Sequence, residues 1–124
     1  MRADNGSRVA LVVEDEALVR SDLVIELSCQ GWDVLDTSSG EHAVRLAEEN
    51  RIDIVVTDIQ LGGPIGGWDV AETVRRIWRD VAVVYISGRA PRSARLVPGS
   101  VFLGKPADPA RIAEVCHRLC PPRL

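Results

Sequence analysis

The stretch DIVVTDIQLGG, residues 53–63, decides how the chain is read. Ile54, Val55, Val56 and Thr57 are all β-branched, as suits a buried strand. The run ends on a carboxylate, Asp58, and a glycine-rich loop follows. An acid at a strand tip either caps the next turn or stands at the centre of a reaction. Which of the two applies depends on what the rest of the chain brings to the same place.

Working outward, VALVV (9–13), WDVLD (32–36), DIVVT (53–57), VAVVYI (81–86) and SVFLG (100–104) read as five short strands. VALVV is the continuous apolar run expected of a strand covered on both faces, while WDVLD, just after Gly31, is a weaker strand. Helical spacing falls between them. Residues 17–30 carry Val19, Leu23 and Leu27 on one strip, with Gly31 where a C-terminal cap belongs. Residues 40–50 follow Ser38 and Ser39, and Glu41 stands three after Ser38 as a capping-box partner. Residues 67–79 align Val70, Val74, Ile77 and Trp78. Residues 109–120 align Ile112, Val115, Cys116 and Leu119, with Asp108 as N-cap and Pro109 at the first helical position. SGRAPRSARLVPG, between the fourth and fifth strands, has room for one or two helical turns at most. Strands alternating with helices predict a flavodoxin-like doubly wound (βα)5 three-layer sandwich, its parallel sheet ordered 2-1-3-4-5, with a shortened fourth helix. The domain is expected over residues 8–120, with tails at 1–7 and 121–124.

Bulk properties narrow the function. The chain has 124 residues, the length of one ordinary domain. Its net charge of -3 and aromatic content of 4% argue against nucleic acid, which selects basic faces and stacking platforms. No apolar run approaches the roughly 20 residues of a membrane span. MRADNGS at the start is polar, unlike the centre of a signal peptide. The three cysteines, 29, 116 and 120, are odd in number and lack CxxC spacing, which fits a reducing, cytoplasmic setting. Cys116 and Cys120 read as small apolar helix residues.

In a doubly wound sheet, functional groups gather at the carboxyl ends of the strands near the switch point between strands one and three. Those ends carry Glu14-Asp15-Glu16, Asp58, Ser87 and Lys105-Pro106. Taken singly, each has a plain structural reading: turn, helix N-terminal acids, turn and surface lysine. Together they put several acids, a hydroxyl and an ammonium on one rim. Like charges at short range are costly unless a cation neutralises them. Carboxylate oxygens suit Mg²⁺, which takes one or two carboxylates, waters and a phosphate oxygen. A carboxylate beside a metal and an ammonium can attack phosphorus and become an aspartyl-phosphate.

With these residues in place, VVEDE (12–16), VVTDIQL (55–61), YISGR (85–89) and VFLGKP (101–106) resemble the signatures of a response-regulator receiver domain of two-component signalling. The resemblance runs over about residues 8–120. It implies a phosphoacceptor signalling switch rather than a turnover enzyme, one that assists its own phosphorylation and dephosphorylation. Asp58 would accept a phosphoryl group from a phosphohistidine on a histidine kinase or phosphotransfer protein. Asp15 and Asp58 would bind Mg²⁺ or Mn²⁺, with Glu14 acting directly or through water and the backbone carbonyl of Gln60 completing the set. Lys105 would pair with the acceptor and then with the phosphoryl group. Ser87 would turn toward that group, and Phe102, at the aromatic switch position, would follow it inward. Lys105-Pro106 resembles a peptide that is usually cis in the family. A monomer or weak dimer with a downstream protein partner is implied, without nucleic acid or membrane.

Three departures stand out. The loop QLGGPIGGWDVA is one residue longer than the common form; its glycines suit either a close-approaching backbone or a plain flexible loop. Ser87 and Lys105 are only 18 apart, which implies a fourth helix about one turn short and bears on the family's frequent dimer face of helix four, strand five and the last helix. Gln60 and Arg89, two residues after the acceptor and the hydroxyl, border the path of attacking water and are rate-tuning candidates. Leu18, Ile25 and Cys29 form a second apolar strip on the first helix, either exposed beside the site, where a kinase helical bundle docks in similar proteins, or covered by flanking loops. Arg89, Arg92 and Arg95 make the segment after strand four basic, a solvated loop by default. The polar leader favours a stand-alone receiver; the receiver portion of a hybrid histidine kinase is the alternative. An aspartate-nucleophile phosphatase is disfavoured by Gln60, where such enzymes carry a second acid. A flavodoxin-like electron carrier is disfavoured by EDEALVR, which would repel a phosphate.

Overall fold

The computed structural model describes residues 7–89 and 95–122. Their elements run β1 (Val9–Val13), α1 (Ala17–Cys29), β2 (Asp33–Thr37), α2 (Gly40–Glu49), β3 (Ile54–Asp58), α3 (Gly67–Ile77), β4 (Ala82–Ser87), β5 (Val101–Gly104) and α4 (Pro109–Leu119). The strands form one parallel sheet in the order β2-β1-β3-β4-β5, as expected. The helix expected between β4 and β5 falls largely on residues 90–94, outside the described residues, as does Arg92.

The pleat divides the core into two layers. Val9, Leu11, Val13, Val55, Val83 and Tyr85 face α2 and α3, which bury Ala43, Ala47, Val70, Ala71 and Val74 against them. Ala10, Val12, Ile54, Val56, Val84 and Ile86 face α1 and α4, which bury Leu23, Leu27, Ile112, Ala113, Val115 and Cys116. β1 and β3 are thus covered on both sides, which explains why β1 is apolar throughout and β3 is β-branched from Ile54 to Thr57.

Element ends differ from the sequence reading where side chains take over backbone bonds. β2 begins at Asp33 rather than Trp32, because the N–H groups of Gly31 and Trp32 still bond back to Ser28 and Leu27 in the closing turn of α1. Gly31 holds φ +93°, the left-handed conformation that favours glycine after a helix. Trp32 is instead a buried core residue, with the Arg8 guanidinium 4.0 Å above its ring. The buried Arg8 also donates to the carbonyl of Cys120 at 2.7 Å, joining the start of β1 to the end of α4. The N-cap of α2 is Ser39, whose Oγ accepts from the His42 N–H at 3.1 Å. Ser38 is passed over, so the reciprocal bond from Glu41 does not form; the residue three after the cap is His42. α3 stops at Ile77, and Trp78 turns out of it to donate its indole N–H to the Ala47 carbonyl of α2. Asp108 and Pro109 start α4 as read from the sequence.

α1 settles which strip faces inward. Leu23 and Leu27 are buried, Val19 sits at the margin, and Leu18 (81% exposed), Ile25 (59%) and Cys29 face outward. Leu27→Ala should therefore lose roughly 2–5 kcal/mol of stability in urea titrations. Ile25→Ala should stay within about 0.5 kcal/mol of the parent; comparable losses for both would mean the strips had been assigned the wrong way round.

Candidate functional site

Parallel strands deliver their last residues to one edge, and here that edge is acidic. Asp58 is the final residue of β3, its side chain 8% exposed. Its Oδ2 accepts from Lys105 Nζ at 2.7 Å and its Oδ1 from the Gln60 backbone N–H at 3.0 Å. The buried Glu14, just beyond β1, lies 3.0 Å from the same ammonium through Oε1, and its Oε2 accepts from the Glu16 N–H. Carboxylate oxygens of Glu14, Asp15 and Asp58 fall within 4.8 Å of one another, with Asp15 exposed at the rim. An open cleft of about 460 Å³ lies above them, lined in part by Asp15, Asp58, Gln60, Gly88 and Lys105.

The electrostatics follow from burial. Desolvation raises the Glu14 carboxyl above its ordinary value, and the nearby Asp58 charge adds to the rise. Burial works against the charge on Lys105 too, but its bonds to Asp58 and Glu14 outweigh it and hold the ammonium above the usual lysine range. Lys105 is the chain's single lysine; the remaining basic side chains are arginine. A compact ammonium with three N–H donors can serve several oxygens at once, as it does here.

Backbone packing fixes Asp58. A Cβ on Gly67 would lie 2.1 Å from the Asp58 carbonyl oxygen and 2.7 Å from Ile59 Cα, so α3 starts directly against the end of β3. Gly66 donates its N–H to Asp69, and Gly67 donates to the Ile59 carbonyl. A Cβ on Gly40 would crowd the Ile65 carbonyl at 2.5 Å, which places the top of α2 under the same loop. Gly62 has open space around it. The loop glycines thus divide: Gly66 and Gly67 serve close approach, as Gly40 does at the start of α2, and Gly62 does not.

The other expected residues sit as follows. Ser87 ends β4 buried, its hydroxyl accepting from the Arg89 N–H at 3.2 Å rather than bonding Asp58. Arg89 is exposed. Phe102 pairs with Tyr85 across β4 and β5 and packs half-buried on the core facing α2 and α3. Lys105-Pro106 is cis, and the Lys105 N–H is held by the Ser87 carbonyl. Arg95, read as part of a solvated basic loop, binds Asp69 and Glu72 of α3 at 3.1 and 2.8 Å. With the Gly66 N–H first and Arg95 second, these bonds lower the Asp69 pKa. No disulfide joins the three cysteines, and burial pushes the Cys116 thiol up to about 12.

Sequence reasoning missed Arg20, and it placed Glu16 on the rim without a role of its own. Arg20 donates to the Glu14 carbonyl at 2.8 Å and to Asp36 at 3.2 Å, bolting the acidic loop to β2. Glu16 lies 3.4 Å from Lys105. Arg20 is one turn into α1, a position where a long side chain reaches back toward the loop; the lone lysine among arginines was the available signal for a specialised ammonium.

Residues 10–117 match the response regulator receiver domain family. The chain is a receiver domain. It is 32% identical, over 93% of its length, to the sensor kinase CckA of Brucella abortus, of which it spans 13%. It also spans less than half of the other curated relatives compared, including 29% of the transcriptional regulatory protein AfsQ1 of Streptomyces coelicolor. The structure of a response regulator receiver protein from Sinorhizobium medicae matches with a TM-score of 0.86 at 34% identity, covering 91% of this chain and 94% of that one. The receiver domain of the hybrid histidine kinase CckA matches at 0.78 and 34%, covering 90% and 97%. Receivers are phosphoacceptor signalling switches, and this chain is one by family. Among the described residues no helix is long and apolar enough to cross a membrane.

Two outcomes test the site's physics. Gly67→Ala should cost roughly 1–3 kcal/mol, because the methyl meets backbone that cannot swing aside; an unchanged urea midpoint would contradict the close approach. Glu14 has a raised folded pKa, so the folded state binds more protons and stability falls as pH rises through that window. In chelator at neutral pH, Glu14→Gln should melt no lower than the parent. It should also lose the gain this group gives the parent as pH is lowered from neutral toward the ordinary carboxylate range, as read by thermal melts at each pH.

Proposed function

We propose that Asp58 is the phosphoacceptor of this receiver, within a domain spanning residues 8–120. The observation that carries the reading is the 2.7 Å bond from Lys105 to an Asp58 oxygen that also stands among the ligand oxygens of Glu14 and Asp15. The strand holds the carboxylate rigidly, and the cleft leaves its outer side open to a donor.

In the transfer, an Asp58 carboxylate oxygen forms a bond to phosphorus while the P–N bond of a phosphohistidine breaks, its electron pair leaving with the imidazole nitrogen. Lys105 meets the charge of the incoming phosphoryl oxygens. Ser87 gives up the Arg89 N–H and turns its hydroxyl to the phosphoryl group, and Phe102 moves inward behind it. Water attack on the acyl phosphate would pass Gln60 and Arg89, which supports a rate-tuning role for both. Phosphorylation and its reversal then draw on the domain's own groups, without turnover of a small substrate.

The donor set fits a hard divalent cation, since buried Glu14 beside Asp58 leaves like charge that one ammonium only partly offsets. Asp15, Asp58 and the Gln60 carbonyl would hold Mg²⁺ or Mn²⁺, with Glu14 bound directly or through water. Such an ion supplies charge neutralisation for the acids and the phosphoryl oxygens together. The phosphohistidine donor would be a histidine kinase or phosphotransfer protein, and the output a changed protein contact. Three cysteines outside any disulfide support a cytoplasmic setting. The match to CckA favours, as a second reading, service as the receiver of a hybrid kinase; the open reading frame distinguishes the two.

Acetyl phosphate with Mg²⁺ should label the chain once, at Asp58, by intact-protein and peptide mass spectrometry. Asp58→Asn should remove the label, and equal labelling of that variant would refute the assignment. Lys105→Ala should slow labelling or block output by at least tenfold, about 1.4 kcal/mol, while retaining a cooperative melt.

A further inference from the structure

Lys105 has more acceptors than its proposed task requires. Its Nζ lies 2.7 Å from Asp58, 3.0 Å from Glu14 and 3.4 Å from Glu16, so three carboxylates share an ammonium with three N–H donors. The three are not equivalent. Asp58 and Glu14 are buried, and leaving the lysine would strand either charge away from water. Glu16 is 66% exposed, and water replaces its partner at little cost. Glu16 belongs to the cleft wall together with Asp15, Gln60 and Lys105, so its charge faces the space a donor enters. The backbone keeps it there: the Glu16 N–H is held by Glu14, and the Glu16 carbonyl accepts from Arg20 in the first turn of α1.

We propose that Glu16 is a positioning residue that competes with the phosphoryl donor for Lys105, and so acts as an electrostatic brake on loading. The inference rests on the phosphoacceptor reading above. A phosphate-bearing donor needs the third N–H of Lys105, and Glu16 is the acceptor that yields it. Until it yields, the ammonium is fully engaged and one extra negative charge stands on the entry path. The contact is long and exposed, so it gives way readily, as a brake must. Glu16 is not required for the chemistry; it sets how easily an anion arrives.

Two measurements on the intact chain test this. With saturating Mg²⁺ at low salt, Glu16→Gln should raise the second-order rate of labelling by acetyl phosphate roughly three- to tenfold, the effect of one unit charge a few ångströms away at near-aqueous dielectric. That ratio should fall toward one as salt is added, and the Mg²⁺ affinity should stay within about twofold of the parent. The second measurement needs no transfer. Inorganic phosphate is titrated while the ammonium nitrogen signal of Lys105, unambiguous as the single lysine, is followed by NMR. Phosphate should bind Glu16→Gln more tightly by a similar factor. Equal or slower labelling, a ratio that ignores salt, or unchanged phosphate affinity would overturn the brake. A weakened Mg²⁺ affinity would also overturn it, by making Glu16 a metal ligand. If the parent itself is not labelled at Asp58, the phosphoacceptor reading fails, while the phosphate titration still decides whether Glu16 competes for Lys105.

Discussion

Everything at the carboxyl edge depends on keeping three acids close together in a partly desolvated place. Coulomb repulsion and burial both oppose this arrangement. What opposes them is one ammonium at 2.7 and 3.0 Å from the two buried acids, together with backbone N–H groups aimed at Asp58 and Glu14. The balance is incomplete, as the raised Glu14 pKa shows. A site left short of positive charge is a site that attracts a cation and responds when further negative charge arrives. The fold supplies the rigidity: the acids stand at the ends of β1 and β3, neighbouring strands at the switch point of a sheet covered on both faces.

The sheet and its order were legible because five short apolar runs alternated with helical spacing, and handedness rules leave few ways to connect them. The rim was legible because strand ends in a parallel sheet share one edge, so Asp58, Glu14-Asp15, Ser87 and Lys105 could be placed together from position alone. Contacts made by long flexible side chains were not legible. Arg20 reaching back to the Glu14 carbonyl, and Arg95 choosing Asp69 and Glu72 over solvent, depend on helix placement that spacing does not encode. The same holds for caps. Two adjacent serines offered two N-termini for α2, and the choice of Ser39 reflects Thr37, whose hydroxyl accepts from the Ser39 N–H.

The described residues just before β5 are tied to the rest of the domain by polar bonds. Arg95 is paired to α3, Arg75 donates to the Pro98 carbonyl, and the Val97 N–H is held by the buried Tyr85 hydroxyl. Residues 95–98 are thereby fixed to α3 and β4 through named polar bonds. Tyr85 also lies against Trp68, ring centroids 5.0 Å apart, one residue beyond the Gly67 contact with Asp58. Asp58, the first turn of α3 and this segment form one connected body, so a displacement at Asp58 is resisted by packing far from the cleft.

Arg8 gives the domain a property of assembly. It clasps Trp32 and the Cys120 carbonyl, which brings the beginning of β1 and the end of α4 to one place, at the amino end of the strands. The acidic rim lies at the opposite end, so the first and last described stretches meet at the pole remote from it. Neighbouring points of entry and exit suit a unit carried within a longer chain, and the curated relatives it matches are much longer proteins.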